Sequence, residues 1–213
     1  MPPLPNPIPI FPLPNVILFP RMPLPLVVFE PRYRKMVADA LQKDREDRII
    51  GMVLLRPGWE AEYQGRPPIY AVGCAGVMEQ CEPLADGRFK ILLRGTSRFR
   101  VVEERAGEPY RLATVVTLED PLGDAAALDL ARRRVTEAIA QAVDGPAILV
   151  MQPELTHDVF VNALCHSLGL SPVEQQSLLD CHSVQDRYGR LLEILEFRRL
   201  EHAHRRGGEP KVH

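Results

Sequence analysis

The sequence predicts an α+β protein, a β-rich half with one early helix followed by a helical half. Three observations carry that expectation. Short apolar runs with strand periodicity fill the chain up to about residue 118, and glycine and proline punctuate them. Beyond Asp120-Pro121-Leu122-Gly123 the apolar residues recur at helical spacing. The prolines are concentrated in front, ten of the 21 lying between Pro2 and Pro25, where they forbid helix interiors and tolerate extended and edge segments. The boundary is placed at residues 122/123, giving a β-barrel domain over 1–122 and a helical bundle over 123–213.

In order along the chain, Ile8–Phe11 and Val16–Phe19 read as short strands on either side of the turn Pro12-Leu13-Pro14-Asn15. Leu24–Phe29 is uninterrupted in its apolar character and is expected to be a strand buried on both faces. Glu30-Pro31-Arg32-Tyr33 begins a helix with proline at its first position, where the missing N–H has no partner to lose. Tyr33, Met36, Val37, Ala40 and Leu41 then share one helical face, and Lys43–Asp47 ends it. Ile49–Leu55 is the next strand and Arg56–Pro68 a loop. In Ile69–Gln80 the small residues Ala71, Gly73 and Ala75 imply a bend or a close backbone approach. Asp86-Gly87 marks a hairpin turn, Phe89–Leu93 follows it, Gly95 is expected to break the run, and Arg98–Glu103 and Tyr110–Leu118 complete the set. Seven or more short strands with one early helix point to a closed or half-closed barrel.

In the second half, Leu128, Val135, Ile139 and Val143 form one stripe. Thr156 stands where an N-cap is needed before Val159, Phe160, Ala163 and Leu164. Ser171-Pro172-Val173-Glu174 is a capping box with proline at N1. Ser183-Val184-Gln185-Asp186 starts the last helix with aspartate in the place of glutamate, and Val184, Tyr188, Leu191, Leu192 and Leu195 line its inner face.

Composition excludes several classes of function. A net charge of −2 supplies no bulk field for nucleic acid or an anionic membrane. No apolar run approaches the roughly 20 residues of a membrane span, and the amino-terminal residues lack a signal peptide's basic and apolar regions, so the expected compartment is the cytoplasm. Cys74, Cys81, Cys165 and Cys181 contain no C-x-x-C pair, and each sits among apolar neighbours as a small hydrophobe would. The repeated Cys165-His166 and Cys181-His182 pairs invite a metal reading. Adjacent helical residues diverge by about 100°, however, so neither pair chelates easily, and no metal and no cofactor are expected. There is no Walker A motif to cradle phosphates, no G-x-S-x-G, and no serine placed to pair with Lys35, Lys43, Lys90 or Lys211 as a Ser-Lys dyad. A non-catalytic role follows as the expectation.

Two features point to binding. Trp59, the only tryptophan, and Tyr63 lie in the Arg56–Pro68 loop where no core periodicity demands them, and are the candidate peptide-binding anchors. Arg88, Arg94, Arg98, Arg100, Arg105 and Arg111, interleaved with Phe89 and Phe99, have the composition of a small RNA-binding platform. Both phenylalanines are in phase with core positions, and neighbouring glutamates dilute the charge.

Residues 10–20 (IFPLPNVILFP), 24–33 (LPLVVFEPRY), 70–76 (YAVGCAG) and 86–100 (DGRFKILLRGTSRFR) together resemble the amino-terminal substrate-binding domain of Lon ATP-dependent proteases. Residues 168–179 (LGLSPVEQQSLL) resemble the helical region that follows it in Lon. The resemblance implies a pseudo-barrel related to PUA-like folds, followed by a helical bundle. It also implies recognition of unfolded polypeptide or of a protein partner, with RNA binding by the PUA-like barrel as the alternative. Lon proteases continue into an AAA+ ATPase and a Ser-Lys peptidase, and the chain to His213 contains neither.

Overall fold

A computed structural model describes residues 4–62, 65–105, 109–141 and 154–207. Six strands and five α-helices are found among them: β1 (Ile8–Leu13), β2 (Pro23–Val28), α1 (Pro31–Leu41), β3 (Ile49–Leu54), β4 (Val72–Pro83), β5 (Phe89–Arg105), β6 (Arg111–Thr117), α2 (Ala125–Gln141), α3 (His157–Ser167), α4 (Pro172–Leu179) and α5 (Val184–Gly207). They form two compact units, one of residues 1–119 with 171–180, the other of 120–170 with 181–213. The first unit thus includes α4, which the 122/123 boundary read from the sequence assigns to the helical half.

The first unit is a closed barrel with one strand outside the ring. The sheet order is β2-β5-β4-β3-β1-β6, and a second pairing of β5 with β6 closes β1, β3, β4, β5 and β6 into a circle. β1 and β3 are parallel, with Ile10 opposite Gly51, and the other pairs are antiparallel. Inside lie Ile8, Ile10, Val53, Ala75, Phe99, Ala113 and Val115. The Phe99 ring fits because two residues facing it have no side chain. A Cβ on Gly51 would stand 2.9 Å from Phe99 Cζ, and one on Gly73 would stand 2.7 Å from it and 2.4 Å from the Met52 carbonyl oxygen. The small-residue face of β4 is therefore a close approach, and register shifts at Cys74/Gly76 and Met78/Gln80 bend the strand there.

Three strand expectations change. Val16–Phe19 forms no strand, although Ile17, Leu18 and Phe19 are buried. Pro14 and Pro20 bracket the segment, and the Phe19 carbonyl accepts from Met22 N at 3.1 Å in a turn rather than from a neighbouring strand. Gly95 does not break β5, which runs through it for 17 residues. Its missing side chain admits the crossing segment instead, since a Cβ there would lie 2.1 Å from the Phe19 oxygen. Finally, β2 is buried on one face only, its residues alternating between exposed Pro23, Pro25 and Val27 and the inward Leu24 and Val28. Among the described residues nothing covers its outward face.

α4 belongs with the barrel through specific bonds. Its capping box is present, Glu174 N donating to Ser171 Oγ at 3.3 Å and Ser171 N to Glu174 Oε2 at 2.7 Å. Gln176, buried, donates from Nε2 to the Val72 carbonyl at 3.0 Å. Buried Arg98 donates to the Leu179 carbonyl at 2.9 Å and to the Glu119 carbonyl at 2.8 Å, satisfying an acceptor at the end of the helix that would otherwise be orphaned.

The second unit packs Leu128, Val135 and Ile139 of α2, Phe160, Val161, Leu164 and Cys165 of α3, and Val184, Tyr188, Leu191 and Ile194 of α5. Val143 lies outside the described residues. Thr156 occupies the N-cap position of α3 without a side-chain capping bond. Ser183 and Asp186 cap α5 reciprocally at 3.0 and 3.1 Å, so the shorter aspartate serves. Arg187 is fully buried, held by both carboxylate oxygens of Asp120 at 2.8 and 3.2 Å and by Asn162 Oδ1 at 2.8 Å. Burial pushes the Cys165 thiol up to about 12, so it remains a neutral core group. Among the described residues no helix is long and apolar enough to cross a membrane, and no group of three or more His, Cys, Asp or Glu side chains is arranged to hold a metal ion.

Candidate functional site

β2 lies where it does because its prolines restrict it. Pro23 and Pro25 have no N–H to give, and at alternate positions both withdraw a donor from the same side of the strand, which suits β2 to an edge. Among the described residues β5 provides its single partner, with Pro23 opposite Arg94, Pro25 opposite Leu92 and Val27 opposite Lys90. Side chains alternate across a strand, and Pro23, Pro25, Val27 and the following Phe29 therefore share the outward face. All four are exposed, Val27 by 47% and Phe29 by 63%. Leu92, half-buried beside Pro25, widens the stripe.

Ion pairs rim this apolar surface and neutralise one another. Arg94 is 3.3 Å from Glu79, Lys90 is 3.9 Å from Glu82, and Arg32 is 2.9 Å from Glu30. At the hairpin tip Arg88 and Asp86 are 2.7 Å apart, and the hydrogen bonds from Arg88 hold the Asp86 carboxyl below its ordinary value. An uninterrupted apolar strip with a balanced polar rim has the composition of an interaction surface. Chemistry needs a different arrangement, a convergent set of titratable groups in a cleft, and nothing of that kind adjoins β2 among the described residues.

The residues singled out by sequence are distributed differently. Trp59 is half-buried at the start of a 3-10 turn, Trp59–Glu62, so its ring is not a fully presented anchor, and Tyr63 lies outside the described residues. The arginine set does not form a platform. Arg98 is buried on the carbonyls of Leu179 and Glu119. Arg111 is buried in a bidentate pair with Glu104, both distances 2.6 Å, and also donates to the Pro67 carbonyl at 2.9 Å. Arg88 and Arg94 are paired as above, which leaves Arg100 and Arg105 exposed. Phe99 is fully buried and cannot stack on a base. A surface recess bordered by Pro12, Tyr33, Leu55 and Arg111 is shallow and encloses no space for a small molecule.

Sequence periodicity missed the β2 face because it assigned both faces to the interior. The signal that finds the strand's edge position is the spacing of Pro23 and Pro25. Two prolines at alternate positions leave one side of the strand without donors, which is the mark of an edge.

The family described as the ATP-dependent protease La (LON) substrate-binding domain matches residues 7–196. The chain is 30% identical over 199 residues to Lon protease 2 of Desulfotalea psychrophila, covering 91% of this chain and 25% of that one. It is also 30% identical over 208 residues to the Lon protease of Roseiflexus castenholzii, covering 92% and 24%. It thus spans about a quarter of the length of these relatives. Among solved structures it is similar to a Lon N-terminal domain protein from Xanthomonas campestris, with a TM-score of 0.63, 25% identity, and coverage of 88% of this chain and 98% of that one. The N-terminal domain of a Mycobacterium avium complex Lon protease shares the fold, with a TM-score of 0.69 at 15% identity over 90% of this chain and 98% of that one.

Proposed function

The chain belongs to the Lon substrate-binding domain family, and from that premise we propose that it is a non-catalytic module that binds unfolded polypeptide on the outer face of β2. The observation that carries this reading is the exposed stripe of Pro23, Pro25, Val27 and Phe29 inside a neutralised rim. Burying a Val or Phe side chain fully contributes roughly 1.5–3 kcal/mol, and both are already part-covered. The gain from the two together is therefore at most about 3–6 kcal/mol before association and ordering costs are deducted, so the stripe binds weakly. Such weak binding suits sampling of many segments rather than storage of one.

The test is fluorescence anisotropy of a labelled, permanently unfolded polypeptide at low and high salt, with single-stranded RNA as competitor. Binding should survive high salt, because an apolar contact releases few counterions, and should weaken at least tenfold in Val27→Asp/Phe29→Asp. Unchanged binding in that variant, with loss in Trp59→Ala, would move the site to the Arg56–Pro68 loop. Salt-sensitive binding of RNA with none of polypeptide would overturn the reading.

A further inference from the structure

The free edge of β2 is chemically one-sided. In an antiparallel ladder successive residues point their N–H and C=O groups alternately toward the partner strand and away from it. Met22 faces β5, its carbonyl accepting from Gly95 N at 3.0 Å, so Leu24, Leu26 and Val28 continue the bonding to β5 in the observed register. Pro23, Pro25 and Val27 then direct their backbone groups outward. They expose three carbonyls and a single N–H, that of Val27, because proline has none. The proline ring carbons stand where the other two hydrogens would be, and hold off the carbonyl of any strand laid alongside.

We propose that β2 takes its ligand through side chains and excludes strand addition, so that the bound segment is an extended apolar stretch in which proline and other blocked amides are accepted. The proposal rests on the functional reading above and narrows it to a substrate class. Strand addition draws its affinity from main-chain bonds and its selectivity from alternate side chains. With two of three outward donors removed and the proline rings holding an added strand away from the three carbonyls, the main-chain contribution is lost and the apolar face is what remains. Segments that cannot form sheet, proline-containing ones included, then compete on equal terms with strand formers.

The experiment compares two fluorescent peptides of one apolar sequence, one unmodified and one N-methylated at alternate residues, on the full chain and on Pro23→Val/Pro25→Val. Valine suits an edge strand, and circular dichroism confirms that the variant folds. The parent chain should bind both peptides within about twofold. The variant, with its donors restored, should favour the unmodified peptide by threefold or more. A tenfold loss for the N-methylated peptide on the parent chain overturns the inference while leaving polypeptide binding intact, and so does an absence of discrimination in the variant. Failure of the unmodified peptide to bind the parent chain overturns the functional reading itself, and with it the ligand class inferred here.

Discussion

The two halves of β5 lie in one strand and have opposite fates. From Phe99 to Arg105 it pairs with β6 and closes the ring. Inside that turn of the barrel Phe99 and Ala113 are fully buried, and on the same inward face Arg111 and Glu104 satisfy each other. From Phe89 to Arg94 its outer neighbour is β2, and the sheet ends there. The same alternation of side chains that buries Leu24 and Val28 leaves Val27 and Phe29 in water. Closure removes edges. An edge strand keeps one, and its prolines blunt it against pairing with other chains.

The contrast can be broken most severely in the closed half. Gly73→Val places a side chain against the Met52 carbonyl and the Phe99 ring. It should destabilise by about 3 kcal/mol or more, read as a lowered urea midpoint or as failure to fold. Phe99→Ala should follow, at about 3–5 kcal/mol, whereas Ile91→Ala, equally buried but beside the open edge where neighbours can settle inward, should lie near the lower end of its roughly 2–5 kcal/mol range. Equal losses in the same denaturation series would mean that closure confers no extra rigidity. On the open face, Val27→Asp/Phe29→Asp should change stability by no more than about 0.5 kcal/mol while abolishing polypeptide binding. A large drop in midpoint would instead assign those residues to the core. The smallest effect is a difference in rate. Cys74 is fully buried in the closed half and Cys81 half-buried in the open one, so an alkylating agent should modify Cys81 in the native protein and Cys74 only on unfolding. Burial raises the Cys81 thiol above its ordinary value, partly offset by Arg48. Its labelling should therefore accelerate as pH rises through the range where the thiolate forms.

Features set by local chemistry were legible in the sequence. The proline at N1 of α1, the Ser171 capping box and the Asp86-Gly87 turn each follow from a few adjacent residues. Features set by distant partners were not. Gly95 has the composition of a breaker and becomes a crossing point because Phe19 arrives from 76 positions away. Arg187 looks like a surface arginine on an amphipathic helix and is buried because Asp120 and Asn162 converge on it. An apolar run such as Leu24–Phe29 states that a strand forms, and only the pairing partners decide which of its faces is covered. The candidate site fell into that gap, with Trp59 standing out by type and the β2 stripe by position.

α4 gives the chain an order in time. The Arg98 guanidinium and the Val72 carbonyl find Leu179 and Gln176 as partners, and those residues leave the ribosome some eighty to one hundred positions later. The barrel's strands can pair as soon as Thr117 has emerged and Arg98 can then bond the Glu119 carbonyl, yet its second acceptor, Leu179, arrives only after α2, α3 and most of α4 have been synthesised. At roughly 5–20 residues per second, the nascent barrel spends several seconds incomplete, its last piece still being translated.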